Sequence, residues 1–101
     1  MAVNLKAVTS CLGYQQVTSL SSAASLTVPV NDKLGNRQQA TFALITPEAQ
    51  AVRWRDDGVD PTASVGMPLA VGVTLQYDGD LTKIKFIEQV GGAKLNISYY
   101  A

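Results

Sequence analysis

The sequence predicts an all-β domain, a small antiparallel β-sandwich or barrel-like fold of about seven or eight short strands. Apolar and polar residues alternate in short runs, the pattern of strands with one face buried and one face wet. Residues that favour turns punctuate those runs every eight to twelve positions, the spacing of a sandwich or barrel. With 101 residues, 47% of them hydrophobic and 16% charged, the chain suits one domain with one thin core.

From the N-terminus, residues 1–12 read as an arm or edge strand, and residues 13–101 as a single sandwich domain. A short helix over Asn4–Leu12 is disfavoured by the β-branched residues within it. Tyr14–Leu20 and Ser25–Val30 read as two strands joined by Ser21-Ser22-Ala23-Ala24, and Asn31–Asn36 as a polar loop. In Thr41–Thr46, Phe42 and Leu44 face one way, and Ala43 and Ile45 the other. Thr46-Pro47-Glu48-Ala49 suits a tight hairpin with Pro at the second turn position.

Ala51–Arg55 places Val52 and Trp54 on an inner face and Arg53 and Arg55 on an outer one, with Trp54 filling the core. Val73, Leu75 and Tyr77 form the next apolar face, then Ile84 and Phe86, then Leu95, Ile97 and Tyr99. Asp78-Gly79-Asp80 and Gly91-Gly92 supply the intervening turns, because Gly takes positive φ without strain.

Composition narrows the function. Eight basic and eight acidic residues give a formal net charge of zero, with no basic stripe of the kind that tracks nucleic acid. There is no apolar run of membrane-spanning length and no visible secretion signal, so neither a membrane nor export is expected. The single Cys11 has no partner for an internal disulfide and suits a reducing cytosol.

The chain has no histidine, which removes the commonest general base and metal ligand, and with it any Ser–His or Cys–His nucleophile. No phosphate loop or dinucleotide fingerprint is present. Asp56-Asp57-Gly58-Val59-Asp60 lacks the ligand spacing of a calcium loop and reads as an acidic turn built on side-chain-to-backbone hydrogen bonds. No enzyme, metal or cofactor is therefore expected.

The most individual stretch runs from Val52 through Arg53-Trp54-Arg55-Asp56-Asp57-Gly58-Val59-Asp60-Pro61-Thr62 to Met67-Pro68-Leu69. It resembles a pattern in small proteins of tailed bacteriophages. Gly79-Asp80-Leu81, Ile84-Lys85-Phe86-Ile87 and the ending Ala93–Tyr100 are similar to the same family, as are Gly13–Thr18 and Leu26–Pro29. The resemblance implies a virion structural protein: a capsid decoration or cement subunit, or a head–tail or tail accessory subunit. It implies as partners the major capsid protein or other virion proteins, and a location on the virion after synthesis in the host cytoplasm. Symmetric particles favour symmetric subunits, so a dimer, trimer or ring is expected.

The same acidic turn also looks like the Thr-x-Asp-Gly-Ser-x-Pro-Thr turn of accessory sandwich domains in bacterial glycosidases. That likeness supports a sandwich more than sugar binding. Contact surfaces are expected on the arm, at Val3 and Leu5, and on the Asp56–Met67 loop and its preceding strand, at Arg53, Arg55, Asp57, Val59, Val65 and Met67. A carbohydrate-binding module is the alternative from another class. It requires aromatics aligned on one exposed face, for which Tyr77, Tyr99 and Tyr100 are the candidates.

Overall fold

A computed structural model describes residues 10–31 and 38–101. Among these, ten strands form: β1 (Cys11–Val17), β2 (Ala24–Ser25), β3 (Val30–Asn31), β4 (Gln38–Gln39), β5 (Phe42–Glu48), β6 (Val52–Arg55), β7 (Met67–Leu69), β8 (Leu75–Tyr77), β9 (Lys85–Glu88) and β10 (Lys94–Tyr100). Two four-stranded antiparallel sheets, ordered β1-β10-β5-β8 and β2-β9-β6-β7, make the sandwich, and β3 with β4 forms a small separate ladder. The expected all-β sandwich is the observed fold.

Register follows from which side chains have to be buried. In the first sheet Ile97 lies opposite Ile45, Tyr99 opposite Ala43 and Leu95 opposite Pro47, all facing inward. A slip of one residue would turn this whole set outward, so burial fixes the pairing. On the other side of β10, Gly13 lies opposite Tyr99. Tyr99 thus stands between two residues of minimal size, Gly13 and Ala43, which leaves room for its ring in the core. The Tyr99 hydroxyl donates to Gln15 Oε1 at 2.6 Å, and Thr27 N donates to the same oxygen at 3.1 Å. The second sheet contributes Val52, Leu69 and Phe86, and the connections add Leu20, Leu81, Ile84 and Ala93. No buried side-chain polar atom among the described residues lacks a partner.

Several boundaries differ from the sequence reading. Thr46–Ala49 is not a hairpin. β5 continues through Pro47 to Glu48, and the chain then crosses to β6 in the opposite sheet by way of Ala49, which sits at φ 74°. Pro47 lies past the last β5–β8 pair, Ile45 with Leu75, and its carbonyl faces that side, accepting from Gly72 N ahead of the start of β8. An antiparallel strand residue directs its N–H and C=O to the same side, so the missing donor faces a stretch where no ladder exists.

The expected strand Ser25–Val30 is broken into β2 and β3. Between them Thr27 N bonds the Gln15 side chain, and Pro29 has no N–H to offer a ladder. The first strand begins at Cys11 and stops at Val17, short of the expected Leu20, which is buried beyond its end. Val73 lies outside β8, in a turn closed by Val73 N donating to Ala70 O at 3.1 Å. Most of the arm and of the expected loop at 31–36 lies outside the described residues.

Candidate functional site

The strand–loop–strand unit from β6 to β7 carries six of the residues expected to make contacts, and it is built around Trp54. Trp54 is the third residue of the four-residue β6, on the inward face with Val52, where it pairs with Phe86 on one side and Met67 on the other. The sequence assigns its ring to the core. The ring instead packs against the edge of the core and stays half-buried, because here the second sheet ends and the loop departs. Tyr77, from the opposite sheet, meets it edge-on, with ring centroids 6.0 Å apart and planes at 67°.

Beside this aromatic pair lies a groove of about 230 Å³, floored by Trp54 and Gly66 and walled by Val65, Met67 and the Arg55–Asp57 segment. The Val65–Met67 wall is apolar and open, and the Arg55–Asp57 wall is charged. Val65 is 53% and Met67 56% exposed, and Val59, further along the loop, is 53% exposed.

The loop is fastened on all sides. Arg53, on the outer face of β6, donates from Nε to Ala63 O at 3.1 Å and from Nη1 to Gly66 O at 2.9 Å. Thr62 and Val65 exchange backbone hydrogen bonds, and Thr62 Oγ1 accepts from the amides of Ser64 and Val65. Pro61 is fully buried. Gly66 sits at φ 145°, and a Cβ there would stand 3.1 Å from Arg53 Cβ, 3.2 Å from Pro61 Cβ and 3.2 Å from the Trp54 carbonyl. Only glycine fits this floor.

The carboxylates of the loop are used in holding it. Asp56 Oδ2 accepts from the Tyr77 hydroxyl at 2.6 Å. Desolvation by burial, then this hydrogen bond, push the phenol's pKa well above its ordinary value. Asp57 accepts both Nε and Nη2 of Arg55, and those hydrogen bonds hold its carboxyl below the usual range. Asp60 accepts from Lys85 Nζ at 2.9 Å. Arg55 and Lys85 are cross-strand neighbours, so each of two adjacent cations has its own carboxylate on the same loop. Among the described residues no three metal-ligating side chains converge.

The structure therefore gathers Arg55, Asp57, Val65 and Met67 around one groove, with Val59 on the same loop and Arg53 engaged behind it. Val3 and Leu5 lie outside the described residues. Sequence reasoning missed Trp54 and Tyr77 as parts of this site. The available signal was the place of Trp54 beside the acidic turn, where a core can no longer close over it. Comparison with family models, curated proteins and solved structures finds no match to this chain.

Proposed function

We propose that this protein is a non-enzymatic structural subunit of a phage-like particle, a decoration or cement protein that docks on the assembled capsid through the Trp54 groove. The carrying observation is a rigid apolar surface: exposed Val59, Val65 and Met67 beside the half-buried Trp54, on a loop held by Arg53, Pro61 and Gly66. Protein contacts draw their energy from such centrally placed aromatic and Met side chains, ringed by polar groups. A preformed surface also avoids the entropy of ordering a loop on binding.

The family resemblance of the Val52–Leu69 stretch supports the same reading and supplies the partner class, the major capsid protein or another virion protein. The mechanism is mass action. A subunit that binds only the assembled shell stabilises it by its binding free energy, repeated over many copies. The protein acts as a homo-oligomer that repeats the symmetry of the particle.

The test is light scattering of the purified protein, alone and with empty phage capsids, followed by co-sedimentation and melting of the shells. A discrete oligomer that sediments with shells and raises their melting temperature supports the proposal. A monomer that leaves shells unaltered refutes it. Co-sedimentation with isolated tails or connectors would assign the protein as a head–tail or tail accessory subunit instead. Met67→Glu, an exposed substitution, separates folding from docking: the fold should persist and capsid binding fall at least tenfold.

A further inference from the structure

The alternative of a sugar-binding surface requires an exposed aromatic face, and the three tyrosines expected to supply it do not. Tyr77 and Tyr99 are 8% and 1% exposed, and Tyr100 is half-buried, tilted against Phe42 with ring centroids 5.8 Å apart. The outer face of the first sheet offers a different ring. Tyr14, on β1, is 64% exposed. Its hydroxyl donates to Asn96 Oδ1 at 2.5 Å. Tyr14 itself pairs with Ser98, two residues further along β10, so this bond leans its ring along the sheet surface rather than out into water.

The tether is itself held. Gln16 Nε2 donates to the same Asn96 oxygen at 3.0 Å, and Asn96 Nδ2 donates to Glu48 Oε1 at 3.1 Å. Three adjacent strands thus contribute to one fixed network under a single ring. The register continues it: Asn96 lies opposite Gln16 and Thr46, and Thr46 Oγ1 lies 2.8 Å from Thr74 Oγ1.

We propose that this face, Tyr14 with Gln16, Asn96 and Glu48, is a binding site for a neutral oligosaccharide. A pyranose ring carries a patch of C–H groups on one face and hydroxyls at its rim. Each hydroxyl both donates and accepts. The patch stacks on an aromatic ring, and the rim needs amides and carboxylates beside it. Tyr14 supplies the ring. Asn96 Oδ1 already accepts two hydrogen bonds, but among the described residues one Asn96 N–H, the Gln16 amide oxygen and the second Glu48 oxygen retain capacity for sugar hydroxyls.

Charge selects a neutral glycan. Lys94 lies directly opposite Glu48, and among the described residues no second cation joins them in this register, so an acidic sugar finds no cationic cluster there. The groups hydrogen-bonded beside the ring, Gln16, Asn96 and Glu48, are all polar, whereas a protein contact draws on an apolar centre. The site lies on the sheet opposite the one that carries the Trp54 groove, so a subunit docked by the groove can hold a glycan as well.

The test is an amide chemical-shift titration of the full chain with cellohexaose, maltohexaose and chitohexaose. At least one should give saturable shifts confined to Tyr14, Gln16, Glu48, Asn96 and their neighbours, with Kd on the order of 1 mM for a flat, one-sided site. Tyr14→Ala should weaken binding at least tenfold while the melting temperature moves by less than about 4 °C. Gln16→Ala, which keeps the ring, should weaken it by a smaller factor. Absence of saturable shifts with all three sugars, shifts centred elsewhere, or wild-type affinity in Tyr14→Ala would overturn the proposal.

Discussion

Tyr77 and Asp56 join the two sheets at the mouth of the sandwich: the phenol of one sheet donates to the first carboxylate of the loop that leaves the other, at 2.6 Å. Gly79 makes this possible, since a Cβ there would stand 2.5 Å from Tyr77 Cζ. Tyr77→Phe keeps the edge-on contact with Trp54 and removes only the hydrogen bond. The expected loss is about 1 kcal/mol by urea denaturation. Gly79→Ala should cost more, because it displaces the ring as well as the bond.

Gly66 and Gly72 both have positive φ, but only Gly66 is crowded, whereas a Cβ at Gly72 meets nothing within 4 Å. Gly72→Ala should therefore cost about 1 kcal/mol, the backbone penalty alone. Gly66→Ala adds contact with Arg53, Pro61 and the Trp54 carbonyl, so about 2–4 kcal/mol is expected. Denaturation curves of the two variants give the comparison directly.

Arg53→Ala removes two hydrogen bonds to the carbonyls of Ala63 and Gly66 and frees the loop from its strand. A loss of about 2 kcal/mol is expected, since both bonds use a charged donor and the one to Gly66 is partly shielded from water. Hydrogen exchange at Ser64 and Val65 should rise by at least tenfold. Arg53→Lys should rescue little, because a single ammonium does not reproduce the guanidinium fork.

Burial lifts the Tyr99 phenol from 10 to about 12, and Tyr77 is raised in the same direction. Because the folded values lie above the unfolded one, the native state holds these protons more tightly. Their stabilising effect is complete below pH 10 and is lost as pH rises through the folded values. Tyr99 alone should account for about 2 kcal/mol lost between pH 10 and pH 12. The midpoint of urea unfolding, followed across that range, should fall in the wild type and fall less in Tyr77→Phe.

Alternation was sufficient to read the centre of the fold. β5 and β10 are seven-residue strands in the middle of the first sheet, and Ala43, Ile45, Leu95, Ile97 and Tyr99 are buried as their periodicity demands. It failed where a few residues answer to partners distant in sequence. Pro47 looks like a turn former until Gly72 and the start of β8 are known. Ser25–Val30 looks like a strand until the Gln15 side chain takes the amide of Thr27 in place of a ladder. At the groove, the loop and its exposed apolar residues were legible as a stretch without sheet periodicity. The part played by Trp54 was not, since it depends on the sheet ending there. The Tyr14 network was hidden for a related reason: its members are spread over residues 14 to 96 and meet only through the order of strands.

The pairing of Arg55 with Asp57 and of Lys85 with Asp60 has a kinetic consequence. Each cation is cancelled within a few ångströms, so at one Debye length, about 10 Å in 0.1 M salt, this face presents almost no field. An approaching partner is neither drawn in nor turned away, and encounter proceeds at the unsteered rate of roughly 10⁵–10⁶ M⁻¹s⁻¹. Attachment through the groove is then governed by concentration and waiting time, and it proceeds at nearly the same pace in dilute buffer as in strong salt.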